Sequence, residues 1–323
     1  MFTIVIQVQK CWVGSLVYMD RQRVIARIEE LKRKHHAVLL VHNYQIPEVQ
    51  DIADFLGDSL DLSLKATKTD ARVIIFCGVD FMAESAQILN PDKTVIMPDP
   101  EAKCPMAAMV DAETLQALKQ KHPDAEVVTY INTPAEVKAI STICCTSSNG
   151  IKVVKSRLSE KVIFVPDTNL GLYIQRFVPE KNMILWPGIC STHHNIRKED
   201  ILDLKNKHPY AEVVVHPECR PEVIDIADHV HSTNGMVQYT KQAEADEFII
   251  GTEKDMCYRL KKENPTKMFY PVREAICPSM KRVTVQKILK SLETLEPRIK
   301  LPQEIMDNAR RPLQRMMDMG RGD

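Results

Sequence analysis

The sequence has no surplus charge of either sign: 43 Lys and Arg balance 43 Asp and Glu over 323 residues. Nucleic-acid surfaces need clustered basic side chains to displace counterions. No long basic stretch is present, so nucleic acid is not expected as a partner, and the cluster Arg310, Arg311, Arg315 and Arg321 reads as a solvated helix face. No apolar run approaches the roughly 18 residues of a bilayer span, which argues against a membrane protein. The first eighteen residues are mildly apolar but are interrupted by Lys10, and no small-residue cleavage site follows, which argues against a secretory signal. Met19 offers an alternative start of translation. Cys-x-x-Cys pairs are absent altogether, which removes the commonest zinc-binding scaffold.

What is present is an ordinary globular composition, 44% hydrophobic, with nine cysteines. Their odd number and wide spacing do not suit a small disulfide scaffold. Taken singly, most read as buried small hydrophobes, and that reading is kept for Cys11, Cys77, Cys144, Cys145, Cys219 and Cys257. Position singles out the others.

The chain carries an internal repeat. Pro47, Pro134 and Pro221 recur every 87 residues, each shortly after an apolar run and just ahead of Glu48, Glu136 and Glu222. Upstream, "KHHAVLLVHNY", "KHPDAEVVTYIN" and "KHPYAEVVVHPE" share one order of basic helix end, His and β-branched strand. Ser59, Ser147 and Ser232 recur downstream, followed by strands "RVIIF", "KVIFV" and "DEFII", a helix, and strands "KTVIMP", "NMILWP" and "KMFYP". Each unit closes on a cysteine: Cys104, Cys190 and Cys277 lie 86 and 87 residues apart.

Continuously apolar strands alternating with helices of about ten residues indicate parallel sheets covered on both faces. The expected fold class is therefore α/β: three homologous three-layer αβα domains with short parallel sheets, related by a pseudo-threefold axis. The expected divisions are an N-terminal extension at 1–19, repeats at 20–104, 105–190 and 191–277, and a C-terminal helical segment at 278–323. In that last segment Thr284–Leu295 and Gln303–Met319 have helical spacing and are expected to pack across the outside, with Pro302 and Pro312 as breakers.

Loops after the carboxyl ends of parallel strands carry ligands, and three equivalent domains would bring equivalent loops to one point. There, Cys104, Cys190 and Cys277 would form a trigonal set of soft donors. A cubane iron–sulfur cluster tolerates such spacing, and three protein thiolates leave one iron open as a Lewis acid; structural cysteines are the alternative. Polar residues follow the first strand of every repeat: His42 and Tyr44, Tyr130 and Asn132, His216 and Glu218. Glu218 is the one acid of that group, and His193 follows Cys190 by three residues, so a general base and a proton donor are both at hand. Ser59, Ser147, and Ser232 with Thr233 stand at expected helix starts, where hydroxyls and backbone N–H groups bind anions; plain helix caps are the alternative.

Ten segments in order, "HNYQIPEVQDIADFLGDSL", "FCGVDFMAESAQILNP", "CPMA", "YINTPAEVKA", "CTSSN", "PDTNLG", "GICSTHH", "HPEC", "STNGM" and "CPSMK", resemble the quinolinate synthase family from about residue 20 to the C-terminus. The resemblance implies a cytoplasmic enzyme of NAD biosynthesis that condenses iminoaspartate with dihydroxyacetone phosphate, releasing phosphate and two waters to give quinolinate. It implies one oxygen-sensitive [4Fe-4S] cluster on Cys104, Cys190 and Cys277, and a substrate site of His42, Tyr44, Ser59, Tyr130, Asn132, Ser147, His193, His216, Glu218 and Thr233. Glu218, His216, His193, His42 and Tyr44 are the residues expected to move protons. A transient partner would be the enzyme that supplies iminoaspartate. Two features depart from the family pattern. Some members carry a second cysteine in a C-x-x-C at the last ligand, where "CPSMK" has Cys277 alone, and His231 replaces a small residue ahead of Ser232. The rival functions are another cluster-dependent hydro-lyase and a non-enzymatic iron–sulfur sensor, the latter lacking any helix-turn-helix pattern or basic face.

Overall fold

A computed structural model describes residues 21–272 and 274–322. The extension at 1–19, with Met19 and Cys11, lies outside them.

The first unit begins with helix α1 (21–35) and runs β1 (Ala37–His42), α2 (Pro47–Gln50), β2 (Phe55–Gly57), α3 (Ser59–Lys68), β3 (Val73–Cys77), α4 (Asp80–Leu89), β4 (Thr94–Ile96). The second repeats it: α5 (Ala112–Lys121), β5 (Glu126–Tyr130), α6 (Ala135–Ala139), β6 (Ile143–Cys145), α7 (Gly150–Lys155), β7 (Lys161–Val165), α8 (Thr168–Gln175), β8 (Asn182–Leu185). After the short α9 (Ser191–His194) the third follows: α10 (Lys198–Lys207), β9 (Glu212–Val215), α11 (Pro221–Ile224), β10 (His229–Val230), α12 (Thr233–Gln242), β11 (Glu247–Gly251), α13 (Met256–Glu263), β12 (Met268–Pro271). Helices α14 (Val285–Thr294) and α15 (Gln303–Met319) end the chain.

Three four-stranded sheets result, ordered β2-β1-β3-β4, β6-β5-β7-β8 and β10-β9-β11-β12, with every named pairing parallel. The strands are apolar throughout because both faces are covered. Along β1 and β3, Leu39, Val41, Val73 and Ile75 pack outward with Ile28 and Leu31 of α1 and Ile288 and Leu292 of α14. Val38, Leu40, Ile74 and Phe76 face the other way, toward α3 and α4, in a core that also takes in Phe164 and Phe248 from the other two sheets. This period of two places alternate side chains in opposite layers. Burying one such large apolar side chain contributes about 1.5–3 kcal/mol, so the shared inner core ties the three units together. The outer layers stay separate, the second unit's built around Leu115, Val127 and Ile163, the third's around Ile201, Val213 and Ile249.

Helix α15 runs across the outside with Glu304, Asp307, Asn308, Arg311 and Gln314 exposed, while its other face packs on α6, β6 and α4 with Ala309, Leu313 and Met316 fully buried. Two expectations for this segment are corrected. Pro312 does not break the helix. Proline removes the hydrogen bond to the carbonyl four residues earlier, here that of Asn308, which is exposed and can bond water instead. Nor are the arginines simply a solvated face. Arg310 Nε donates to the Ile88 carbonyl (3.2 Å), Arg315 to that of Thr142 (2.7 Å), and Arg321 reaches Asp58 (2.8 Å); Arg311 is exposed. No helix among the described residues is long and apolar enough to cross a membrane.

Candidate active site at the junction of three units

The order 2-1-3-4 makes each sheet's first strand a switch point, from which the chain leaves first to one side and then to the other. Ligands collect outside the carboxyl ends of strands there. A cavity of about 70 Å³ lies at that place for all three sheets together. Its lining includes His42, Tyr44, Ser59, Cys104, Tyr130, Asn132, Ser147, Cys190, His193, His216, Glu218, Thr233 and Cys277, whereas Ser232, also singled out from the sequence, is not among them and lines a neighbouring groove. No lysine or arginine is among the described residues that line the cavity.

The first-strand ends supply the polar floor. The Tyr44 backbone N–H donates to Nδ1 of His42 (3.1 Å), and that of Glu218 to Nδ1 of His216 (3.3 Å), the same ring arrangement in the first and third units. Burial, then the nearby Lys281 charge, pushes His42 down to about 3. Burial and the neighbouring His193 do the same to His216, again to about 3. Both rings are therefore neutral near pH 7 with the proton left on Nε2, as hydrogen-bond donors rather than cations.

Glu218 is the centre of the charge arrangement. Burial pushes its carboxyl up, but His193 and His216, with hydrogen bonds from His193 and Tyr130, outweigh it and hold the group below the usual carboxylate range. Oε2 lies 2.6 Å from His193 Nδ1, and His193 stacks on His216 with ring centroids 4.5 Å apart. The other oxygen, Oε1, is buried without a hydrogen-bond partner, as is Oδ1 of Asn132. Buried polar atoms are ordinarily paired; two orphaned acceptors in one cavity are ready to receive donors from a ligand.

Thr252, immediately after β11, is a hub that sequence reasoning missed. Its Oγ1 lies 2.5 Å from the Tyr44 hydroxyl and 2.8 Å from His193 Nε2. It occupies the position following the third strand of its repeat, where the other units have Gly78 and Pro166; only that register could have drawn attention to it. Asn43, fully buried, donates to the Thr233 hydroxyl (3.0 Å) and so joins the first unit to the third.

The hydroxyls differ in detail from expectation. The cap of α3 is Asp58, whose carboxylate accepts from Asp61 N (2.9 Å), so Ser59 is freed from capping. Ser147 is not at a helix start: Asn149 precedes α7, leaving Ser147 in the turn between β6 and that helix. Ser232 is a plain cap, accepting from Gly235 N (3.2 Å), while Thr233 opens α12.

The thiols of Cys104, Cys190 and Cys277 reach the same cavity from the loops after the fourth strands. Burial pushes all three up, so binding a metal there would release protons. A second possible donor set overlaps it: Cys190 Sγ, a His193 nitrogen and a Glu218 oxygen lie within 4.8 Å of one another. Cys77, Cys144, Cys145 and Cys219 are buried and Cys257 partly so; none forms a disulfide.

A cavity built from imidazoles, a carboxylate, hydroxyls and thiols at the switch points of three parallel sheets is the candidate active site of an α/β enzyme. The family model described as "NadA: Quinolinate synthetase A protein" matches residues 26–318. Relatives named quinolinate synthase include one from Thermodesulfovibrio yellowstonii, 54% identical over 92% of this chain and 98% of its own length. Another, from Methanosarcina barkeri, is 53% identical over 93% and 98%, and one from Dehalococcoides mccartyi is 50% identical over 93% and 99%. The chain belongs to the quinolinate synthase family.

Proposed function

We propose that this enzyme condenses iminoaspartate with dihydroxyacetone phosphate to quinolinate, releasing phosphate and two waters, and that Cys104, Cys190 and Cys277 hold a [4Fe-4S] cluster for that reaction. The observation that carries this is the arrival of three thiols, one per repeat, in the cavity that holds the orphaned oxygens of Glu218 and Asn132. Three soft donors suit such a cluster and leave one iron without a protein ligand. When bound, that iron supplies a Lewis acid for a substrate carboxylate or hydroxyl.

The protein's own residues do the rest. With no lysine or arginine among the described lining residues, the hydroxyls of Ser59, Ser147 and Thr233 and the N-termini of α3 and α12 hold the phosphate and carboxylates. Asn132 and Tyr130 orient the dicarboxylate, since positioning the two carbon skeletons replaces much of the entropy a bimolecular condensation loses. Glu218 takes protons as the carbon–carbon and carbon–nitrogen bonds form, and His193, hydrogen-bonded to it, passes them on. His42 and His216 donate N–H groups from Nε2 to oxygens that gain charge, and Tyr44, held by Thr252, adds its hydroxyl. This assignment places the enzyme in the cytoplasm in NAD biosynthesis, with the enzyme supplying unstable iminoaspartate as a transient partner. We place the unit boundaries at 20–104, 105–190 and 191–277, each ending on a cluster ligand, with 278–323 as the C-terminal segment.

The test is anaerobic reconstitution followed by incubation with iminoaspartate and dihydroxyacetone phosphate. Quinolinate and about four irons per chain are expected. A loaded chain that makes no quinolinate would favour a different hydro-lyase or a sensor. One metal ion per chain, lost on replacing Cys190 but not Cys104 or Cys277, would instead favour a site of Cys190, His193 and Glu218.

A further inference from the structure

We propose that Asp80, Asp167 and Glu253 are positioning residues that hold the three cysteine loops in the geometry a cluster requires. The proposal rests on the cluster reading above and extends it to residues that touch neither metal nor substrate.

In each unit a carboxylate between the third strand and the first turn of the following helix accepts the backbone N–H of the cysteine: Asp80 Oδ1 from Cys104 (3.0 Å), Asp167 Oδ2 from Cys190 (3.0 Å) and Glu253 Oε1 from Cys277 (3.4 Å). A second bond runs beside each one. The backbone N–H groups of Asp80, Thr168 and Lys254 donate to the carbonyls of Ala102, Gly188 and Ala275 at 3.1, 2.8 and 2.8 Å. Each of those carbonyls lies two residues before the cysteine, so a pair of hydrogen bonds clamps every loop to the neighbouring helix.

The carboxylates are themselves fixed. Asp80 Oδ1 also accepts Phe81 N (2.9 Å), Asp167 Oδ1 accepts Leu170 N (2.9 Å), and Glu253 accepts Asp255 N (2.9 Å) and pairs with Lys281 (2.7 Å). Asp167 and Glu253 are fully buried, where a carboxyl is costly unless bonded. The same expensive device occurs in all three units, 24, 23 and 24 residues before the cysteine. Ligand-bearing loops hold their donors only as firmly as their supporting hydrogen bonds do, and these six are the supports.

Ordinary helix capping would look similar, so Asp111 serves as control: it caps α5 by accepting Thr114 N (2.8 Å) and has no bond to a cysteine loop. The experiment reconstitutes the full chain anaerobically, counts iron, and follows loss of iron to a chelator, with thermal unfolding of each variant measured alongside. Asp80→Ala, at the partly exposed member of the set, should fold and release iron about tenfold faster than the parent, the scale of one lost hydrogen bond. Asp167→Ala should do the same or fail to load. Asp80→Asn and Asp167→Asn keep an acceptor oxygen and should restore slow release, and Asp111→Ala should leave release unchanged. Folded Asp80→Ala chains that take up about four irons and lose them at the parent rate would overturn the proposal, as would equal acceleration by Asp111→Ala. If the parent chain itself takes up no cluster, the cluster reading fails, and this proposal with it.

Discussion

Glu218 and Thr252 show how single side chains set the chemistry of the cavity. The Glu218 carboxylate lies 2.6 Å from the His193 ring. Glu218→Gln keeps the shape and removes the base, so quinolinate formation should fall by about 10²-fold or more at unchanged iron content; a variant of near-parental turnover would remove Glu218 from proton transfer. Thr252→Val deletes the hydroxyl between Tyr44 and His193 and should lower turnover while costing about 1 kcal/mol for the lost hydrogen bonds, since the Tyr44 hydroxyl keeps His193 Nε2 at 3.3 Å. Chemical denaturation measures that cost. The imidazoles also give a pH dependence with a definite sign. Folded His42 and His216 titrate at about 3, whereas unfolded histidine titrates near 6.5. Between those values the unfolded chain binds more protons, so stability is complete above pH 6.5 and declines as the pH falls, by about 2 kcal/mol per ring at pH 5. Glu218, held low, adds its own loss only below the ordinary carboxylate range. Unfolding midpoints compared at pH 7.5 and pH 5 should show the decline, and His216→Gln should reduce it. The strand-end residues were legible because a sequence repeat marks them three times. Thr252 was not, because its counterparts are glycine and proline, and a residue whose equivalents share no chemistry leaves no pattern.

At the scale of elements, the strands and the helices of about ten residues follow from apolar runs and capping residues, which act locally and can be read locally. The one-turn helices α2, α6 and α11 cannot be read that way. They have no hydrophobic period of their own and exist because the chain must turn between adjacent strands. The three acids that clamp the cysteine loops were equally hidden, since their partners are backbone N–H groups some two dozen residues away. One departure from the repeat is explained by a close approach. Two residues before the cysteine, the first and third units have Ala102 and Ala275, and the second has Gly188. A Cβ at Gly188 would stand 2.3 Å from the Pro166 carbonyl oxygen, closer than atoms can pack, and that oxygen belongs to rigid backbone. Gly188→Ala must therefore push the Cys190 loop away from β7 and break the bond from Thr168. A loss of about 1–3 kcal/mol in stability with iron below four per chain is expected, measured by thermal unfolding and iron analysis. Parental values for both would show that the loop adapts freely.

For the whole molecule, the threefold order was readable from the 87-residue spacing, but the way the units are joined was not. Periodicity shows that α15 has an apolar face without showing what that face covers, and it covers the seam between the first two units. The residues after α15 complete the connection. Gly322 N donates to the Ser148 carbonyl (2.9 Å) and Asn149 Nδ2 to that of Gly320 (2.9 Å) in the second unit. Arg321 pairs with Asp58 (2.8 Å) in the first unit and donates to Ser232 (3.0 Å) in the third. All these partners sit on the loops after second strands, beside Ser59, Ser147 and Thr233. Substrate has to enter a cavity that three packed units enclose, and a tail bonded to all three at that margin restrains their separation. The Arg321 side chain is partly exposed, so its ion pair adds at most about 1 kcal/mol to stability, and its larger effect is on opening. Arg321→Ala should leave the unfolding midpoint nearly unchanged. It should accelerate amide hydrogen exchange at residues 58–62 and 232–236, which local opening would expose, and raise the KM for substrate more than it lowers kcat. High salt should reproduce part of the effect in the parent chain by screening the pair. Exchange that stays at parental rates in those segments would mean that the tail merely rests on the surface and that entry is controlled elsewhere.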